Sequence, residues 1–170
     1  MPRRATILTT ARLVLTTWTR ADAAELHEVH SDPETMRYVR SGRPETLDET
    51  ESLIDSYLRD QSERGWTKWR LADLQGRIVG RAGFGPHDDG RELGYTIRRD
   101  LWGKGLATEI AGALVDRHRA EAAKNEASTL WAYVAVPNAP SSRVLEKVGL
   151  ARIETLDHKG TSCHLYRLPE

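Results

Sequence analysis

The sequence predicts a mixed α/β fold, in which a mostly antiparallel, seven-stranded sheet is flanked by about four helices. Short runs rich in β-branched residues recur with turn-forming residues between them, which is typical of strands joined by hairpins. Longer segments keep the 3.6-residue spacing of apolar side chains that indicates amphipathic helices. One of these helices lies between two strands, and such a crossover places a parallel pair inside the antiparallel sheet.

The first part of the chain predicts one strand and two helices. The strand covers residues 12–18, where leucine, valine and threonine follow one another. Apolar spacing over residues 22–30 predicts a first helix, which we expect to end at Pro33. A longer helix is expected to begin at Thr46, because Thr46 and the glutamate three residues later have the spacing of a capping box. Gly65 is expected to end it.

Three antiparallel strands are predicted next, over residues 67–73, 77–85 and 91–98. Gln75-Gly76 lies between the first two, and residues 88–90 (Asp-Asp-Gly) precede the third. Both turns contain residues that tolerate positive φ, so the pattern favours hairpins.

The last part of the chain predicts the parallel crossover and a closing hairpin. An alanine-rich amphipathic run over residues 106–124 predicts a long helix, and residues 129–136 read as a buried strand after it. A short helix is expected over residues 141–148, followed by a hairpin of strands 151–156 and 162–168.

Composition limits the classes of function. The 170 residues carry 25 Lys plus Arg and 25 Asp plus Glu, so no basic excess indicates a nucleic-acid partner. Their number, and the lack of repeats or a dividing linker, predict a single domain over residues 1–170. Cys163 is the only cysteine, which excludes an internal disulfide and a thiolate-rich zinc site, and we expect no metal. Without a signal-peptide pattern or an apolar run of about 20 residues, we expect a cytoplasmic protein with no membrane partner, either monomer or homodimer.

A glycine-rich loop lies between the strand that ends near Arg98 and the long helix. Such a loop gathers free backbone N–H groups and the positive end of the helix dipole at one place, which favours an anion. Its spacing matches neither a Walker loop nor a dinucleotide fingerprint. An anion site is therefore predicted, and the open alternative is a tight turn that only caps the helix. The loop consists of Trp102, Gly103, Lys104, Gly105, Leu106, Ala107 and Thr108.

The order of residues in this loop resembles the pyrophosphate loop of the GNAT superfamily of N-acetyltransferases. That loop reads Gln or Arg, two residues, Gly, one residue, then Gly or Ala, and the corresponding positions here are Trp102, Gly105 and Ala107. Trp102 departs from the Gln/Arg rule. The string Trp-Gly-Lys-Gly, an aliphatic residue, Ala and Thr is similar to the RimJ/RimL branch, the ribosomal-protein alanine N-acetyltransferases.

A second motif strengthens the resemblance. Asn138 is followed, after two intervening residues, by Ser141, and the segment continues to Val-Leu-Glu-Lys-Val-Gly-Leu ending at Leu150. Two motifs at the right separation are more specific than one glycine loop. Two further segments lie in the family's order: Ala11-Arg12-Leu13-Val14-Leu15 and Glu92-Leu93-Gly94-Tyr95.

The resemblance implies acetyl-CoA as cosubstrate and an amine as acceptor, either a protein N-terminal α-amine or a small molecule. It also implies a GNAT fold whose central parallel strands splay around the pantetheine arm, and direct transfer in a ternary complex without an acetyl-enzyme. The residues that it assigns to coenzyme binding are Ile97, Arg99, Trp102, Gly103, Lys104, Gly105, Leu106, Ala107, Thr108, Asn138, Ser141 and Arg143.

Glu92 and Ser141 are the predicted catalytic residues. Deprotonating a lysine-like amine at pH 7 costs about 4.6 kcal/mol, against about 1 kcal/mol for an α-amine, so a base matters most for the first. Alternation places Glu92 opposite the apolar face of its strand, and the family uses a glutamate there, commonly through water. Glu92 pairing with Arg81 or Arg91 across the sheet is the alternative.

Ser141 would hydrogen-bond the departing thiolate by the same resemblance, and helix capping is its alternative role. Many members of the family use a tyrosine of the last helix instead, and none occurs within residues 141–148. Two other functions stay open. One is a non-catalytic acyl-CoA-binding regulatory protein on the same fold, and the other is a nucleotide-binding protein that uses the glycine loop.

Overall fold

The computed structural model describes residues 3–39, 42–125 and 129–170. Two single 3-10 turns, Arg20–Asp22 and Arg99–Leu101, complement the regular elements. The strands are β1 (Thr6–Thr9), β2 (Leu13–Thr16), β3 (Lys68–Asp73), β4 (Ile78–His87), β5 (Gly90–Ile97), β6 (Leu130–Ala135), β7 (Ala151–His158) and β8 (Thr161–Arg167). The helices are α1 (Ala23–His30), α2 (Pro33–Met36), α3 (Leu47–Arg64), α4 (Leu106–Ala123) and α5 (Ala139–Lys147).

The strands form one mixed sheet in the order β1-β2-β3-β4-β5-β6-β8-β7. β5 and β6 are parallel, while β1 to β4 pair antiparallel in sequence and β8 pairs antiparallel with both β6 and β7. The predicted fold class and the parallel crossover are therefore confirmed.

Two predicted counts are wrong, because the described residues contain eight strands and five α-helices. The additional strand, β1, has only four residues and none of them is buried, so it lacks the apolar alternation that marks a strand in a sequence. The additional helix, α2, begins at Pro33, where we expected α1 only to end. Asp32 caps α2 by accepting from the Thr35 backbone N–H at 3.0 Å, and proline suits the first turn of a helix.

Tertiary contacts divide the chain into two units, of which the first comprises Met1–Gly83 with Tyr95–Leu106. Its apolar cluster brings together α1, α3, the segment after β2 and the start of β4, with the rings of Trp18 and Tyr57 stacked at 6.0 Å. The predicted start and end of α3 are confirmed. Thr46 accepts the Glu49 backbone N–H at 3.2 Å, and Gly65 ends the helix in the left-handed conformation.

The second unit comprises Phe84–Gly94 with Ala107–Glu170. Its buried side chains come from α4, β6, α5 and β8, among them Leu114, Leu130 and Leu145. Among the described residues the parallel register of β5 and β6 joins Arg91 to Leu130 and Glu92 to Trp131. The pairing thus lies at the start of both strands, as a splayed pair requires.

Among residues 3–39, 42–125 and 129–170, none of the helices combines the length and apolar character that crossing a bilayer requires.

Candidate active site

The predicted loop follows β5 through one 3-10 turn and leads directly into the 18-residue helix α4. Gly103 and Gly105 have φ values of 76° and 79°, in the left-handed region that side chains with a Cβ avoid. No atom lies within 4 Å of where a Cβ of Gly103 would stand, so conformation rather than space requires this glycine. The loop thus places the first-turn N–H groups of a helix beside two residues without side chains.

Trp102 connects the loop to the end of β5. Its indole Nε1–H donates to the Ile97 carbonyl at 2.7 Å, while the side chain stays 49% exposed. The residue that departs from the family's Gln/Arg rule therefore has a structural contact of its own. One lone pair of the Ile97 carbonyl remains for the pantetheine contact that the resemblance implies.

Arg12 is a loop contact that sequence reasoning missed. Its Nη1 donates to the Lys104 carbonyl at 2.8 Å, although 92 positions separate the two residues. Arg12 belongs to a segment that lies in the family's order, but neither that order nor its spacing indicated a contact with the loop.

Further arginines surround the strand end that leads into the loop. Asp100 accepts from Arg98 at 2.8 Å and lies 3.4 Å from Arg77, and the Arg98 hydrogen bond holds the pKa of Asp100 below its ordinary value. Arg99 lies 3.4 Å from Asp32, whose pKa is lowered first by its hydrogen bond from the Thr35 hydroxyl. Arg99 itself remains exposed beside the loop.

Glu92 lies half-buried near the start of β5. Its neighbour Arg91 points to α4, where Nε donates to His118 at 3.0 Å and the guanidinium pairs with Glu121. Burial lowers the pKa of Arg91. Because successive side chains of a strand point to opposite faces, Glu92 is on the face away from α4.

The two arginines named as alternative partners of Glu92 form other contacts. Arg91 is bound to α4 as described, and Arg81 donates from Nε to His30 at 3.3 Å within the first unit. The arrangement therefore differs from the cross-strand ion pairing that was the alternative role of Glu92.

Four rings on the Glu92 side of the second unit form what we call the ring cluster: His87, Trp131, Tyr133 and His158. His87 stacks on Trp131 at 5.0 Å, and Tyr133 stacks on His158 at 3.7 Å between ring centroids. Trp131 is the parallel partner of Glu92, so Tyr133 is two residues further along the same face of β6. The cluster was not predicted, because its members come from β4, β6 and β7.

Hydrogen bonds of the ring cluster indicate the position of a proton. The Asp89 backbone N–H donates to His87 Nδ1 at 3.2 Å, and His87 Nε2 lies 3.0 Å from the Tyr133 hydroxyl oxygen. With Nδ1 accepting, neutral His87 carries its hydrogen on Nε2 and donates to Tyr133, as assigned from these contacts. The hydroxyl hydrogen of Tyr133 is then available to another acceptor.

Burial shifts the pKa values of two members of the ring cluster, Tyr133 and His158. Burial, and next the carboxylate of Glu92, raise the pKa of Tyr133, so its hydroxyl remains protonated at neutral pH. Burial lowers the pKa of His158, which favours the neutral imidazole. Glu92 is therefore accompanied by a hydroxyl donor and a neutral imidazole.

Asn138 and Ser141 open helix α5. The Asn138 side-chain oxygen accepts the Ser141 backbone N–H at 3.4 Å, which leaves the side-chain amide group of Asn138 able to donate to a ligand. Ser141 is half-buried and Arg143 is exposed. The predicted helix start is wrong by two residues, because α5 begins at Ala139 with Pro140 in its first turn.

Cys163 lies buried on β8, and burial raises the pKa of its thiol. A raised pKa leaves little thiolate at neutral pH, so packing explains this residue better than nucleophilic chemistry does. Within the described ranges, no three His, Cys, Asp or Glu side chains group as metal ligands.

Comparison with known proteins decides the family. Residues 12–151 match the family model described as an acetyltransferase (GNAT) domain. The chain belongs to the GNAT acetyltransferases. It is therefore an acetyl-CoA-dependent acetyltransferase, and the resemblance seen in the sequence is confirmed at the level of the family.

Relatives cover nearly the whole GNAT chain. The uncharacterized N-acetyltransferase p20 of Bacillus licheniformis is 31% identical over 85% of both chains. An acetyltransferase from Agrobacterium tumefaciens str. C58 superposes with a TM-score of 0.80 at 25% identity, covering 98% of this chain and 95% of that one. RimL, the ribosomal L7/L12 α-N-protein acetyltransferase, in complex with coenzyme A, gives a TM-score of 0.81 at 14% identity over 96% and 97%.

Proposed function

We propose that this GNAT protein transfers the acetyl group of acetyl-CoA directly to a primary amine, with Glu92 as the base. The observation that carries the proposal is the loop before α4, where two left-handed glycines open an 18-residue helix. A diphosphate fits this loop, because first-turn N–H groups and the helix dipole favour an anion and no Cβ of Gly103 or Gly105 stands in its way.

Coenzyme binding uses main-chain groups for the diphosphate and polar groups for the pantetheine arm. In this proposal the arm bonds to main-chain atoms of Ile97 and Arg99 and to the side-chain amide of Asn138, whose oxygen is used by the helix cap. The residues proposed for the diphosphate are Trp102, Gly103, Lys104, Gly105, Leu106, Ala107 and Thr108, and Arg143 is the exposed cation proposed to assist from α5.

The reaction begins when Glu92 takes a proton from the acceptor ammonium, directly or through water. The neutral nitrogen then attacks the thioester carbon, the C–N bond forms, and the C–S bond breaks with its electron pair on sulfur. The second proton that the nitrogen must lose passes to the thiolate, directly or through water, which gives the neutral amide and coenzyme A. Ser141 stabilises this thiolate by donating a hydrogen bond from its hydroxyl. Local concentration and orientation of the two substrates account for much of the acceleration in such a ternary complex.

The acceptor class that we propose first is a protein N-terminal α-amine, as in the RimJ/RimL branch. Its support is the Trp-Gly-Lys-Gly string and the shared fold with RimL, whose name states that it acetylates ribosomal L7/L12. An α-amine also needs only about 1 kcal/mol to become neutral at pH 7. A small-molecule amine is the other candidate.

A panel of amines tests this function. Acetyl-CoA would be incubated with the protein and with peptides starting in Ala or Ser, amino sugars, polyamines and lysine-bearing peptides, while free coenzyme A release and product mass are measured. Turnover on the α-amino peptides alone supports the RimJ/RimL-type acceptor, and turnover on a small amine alone overturns it.

Calorimetry with coenzyme A separates the remaining functions. Binding heat without turnover on any amine would indicate the non-catalytic acyl-CoA-binding protein. Binding heat from ATP or NAD, with none from coenzyme A, would indicate a nucleotide site and overturn the proposal.

A further inference from the structure

Arg12 lies in the turn between β1 and β2 and contacts the glycine-rich loop of residues 102–108, which we call the coenzyme loop. Its guanidinium Nη1 donates to the Lys104 carbonyl at 2.8 Å, and its Nη2 would lie 3.6 Å from a Cβ placed on Gly105. Arg12, Lys104 and Gly105 all belong to the first unit. Arg12 therefore contacts the side of the Lys104–Gly105 peptide on which the carbonyl lies.

The geometry of a peptide bond gives this contact a second effect. The Lys104 carbonyl and the Gly105 N–H share one planar trans peptide, so they point in opposite directions. Holding the carbonyl toward Arg12 consequently turns the Gly105 N–H to the other side. That N–H is one of the donors that we assign to the diphosphate.

Without such a contact this peptide is free to reverse. Turn types I and II differ in the ψ before and the φ after their central peptide, so rotation of that one peptide interconverts them. Gly105 has φ of 79° and accepts either sign at little cost. After reversal, the Lys104 carbonyl oxygen would face the anion and repel it.

We propose that Arg12 is a positioning residue for coenzyme binding, which fixes the Lys104–Gly105 peptide with its N–H toward the diphosphate. The inference rests on the proposed function of the loop. It assigns to Arg12 no contact with the coenzyme and no part in the chemical step.

The first experiment compares coenzyme A affinity in Arg12→Ala and in a matched control. Arg20→Ala removes another arginine of the same unit, 82% exposed and paired with Asp55 at 2.9 Å. The Arg12 hydrogen bond is solvent-exposed, and a net contribution of about 1 kcal/mol changes an equilibrium about fivefold. We expect the Kd of coenzyme A to rise about fivefold in Arg12→Ala and to stay within about twofold in the control.

Kinetics distinguish positioning from general damage. At saturating acetyl-CoA, Arg12→Ala should keep kcat within about twofold while KM for acetyl-CoA rises with the Kd. Arg12→Lys keeps a charged donor and should restore the Kd to within about twofold of the parent. A fall in kcat equal to the rise in KM, or a lysine variant as weak as alanine, contradicts the inference.

Salt dependence separates the peptide contact from simple charge attraction. The Debye length falls from about 10 Å at 0.1 M to about 3 Å at 1 M salt, so attraction through solvent would fade. The ratio of the Arg12→Ala Kd to the parent Kd should be the same at both concentrations. A ratio that falls to one in high salt would show that charge alone was responsible.

Coenzyme binding by the parent protein separates a failure of the proposed function from a failure of the role of Arg12. If the parent gives no binding heat with coenzyme A, the proposed function and this inference fail together. If the parent binds and Arg12→Ala binds equally well, only the inference fails. The ¹⁵N–¹H resonance of Gly105 offers a direct check, because it should move in Arg12→Ala without coenzyme and stay in place in Arg20→Ala.

Discussion

The coenzyme loop and the surroundings of Glu92 are built on opposite principles. The loop depends on main-chain groups from neighbouring residues, oriented by Gly103, Gly105 and the start of α4. The Glu92 region depends on side chains from separate strands, with the ring cluster beside the carboxylate. The residues of the loop are consecutive in the sequence, whereas the side chains around Glu92 come together only when the chain folds.

This difference separates the expected effects of substitution. Changes in the loop should alter the affinity for coenzyme, since they disturb the donors of an anion site. Changes around Glu92 should alter turnover, since they disturb proton transfer and leave the loop intact.

With a lysine-like amine as acceptor, Glu92→Gln should lower kcat/KM about 10²- to 10⁴-fold, the usual contribution of a general base, and with an α-amine, whose deprotonation costs only about 1 kcal/mol, the loss should be smaller. Coenzyme A should bind as it does to the parent, measured by calorimetry. Glu154→Gln, an exposed carboxylate on β7, is the control and should change turnover little. A Glu92→Gln enzyme with parental turnover would remove Glu92 from catalysis and break the comparison on its catalytic side.

Gly105→Ala should raise the Kd of coenzyme A about 5- to 30-fold, because a left-handed conformation costs a residue with a Cβ about 1–2 kcal/mol. Its φ is 79°. Gly76→Ala is a close control, with φ of 87° in the β3–β4 turn. It should cost similar stability in thermal unfolding, but equal loss of coenzyme affinity in both variants would mean that the loop has no special role.

Trp102→Phe should raise the Kd of coenzyme A about fivefold, the equivalent of one hydrogen bond of about 1 kcal/mol. The phenyl ring keeps much of the apolar surface but cannot donate to the Ile97 carbonyl. Isothermal titration calorimetry measures this Kd without relying on tryptophan fluorescence, which the substitution itself changes. A drop in kcat with unchanged affinity would place Trp102 with the Glu92 region instead.

His158→Phe should have the smallest effect, visible in the pH dependence of stability. Burial holds the pKa of His158 below that of the unfolded chain, so below about pH 6.5 the unfolded chain binds more protons. Stability of the parent therefore falls as pH decreases through this window. Phenylalanine keeps a ring on Tyr133 without titrating.

Thermal unfolding at pH 7 and pH 5 checks this last prediction. Between pH 7 and pH 5, the Tm of the variant should fall by less than the Tm of the parent. A larger loss in the variant would contradict the burial effect. Coenzyme affinity at pH 7 should be unchanged, in keeping with the separation of the two regions.

The elements that the sequence predicted well carry their signals locally. Thr46 and Gly65 mark the ends of α3 by capping chemistry, and the crossover from β5 through α4 to β6 follows from periodicity and length. β1 was not predicted, because a four-residue strand without buried residues has no apolar face. Pro33 was interpreted as a stop, although proline is equally suited to begin a helix.

The candidate site was predicted in part for the same reason. The loop is made of consecutive residues, and the Asn138 cap joins two residues that are three positions apart. The geometry of each could therefore be expected from local spacing. Arg12 and the ring cluster could not, because tertiary folding alone brings them to Lys104 and to Glu92. In the sequence, Tyr133 is one aromatic residue of a strand, and only the folded structure shows its hydrogen bond with His87.

Cys163 makes the second unit observable without any substitution. It is the only thiol of the chain and lies on β8 with 6% of its surface exposed, so an alkylating probe reaches it only when that strand opens. The labelling rate in native buffer thus reports the opening free energy of β8, and its slowing by added acetyl-CoA would report how far ligand occupancy protects that strand.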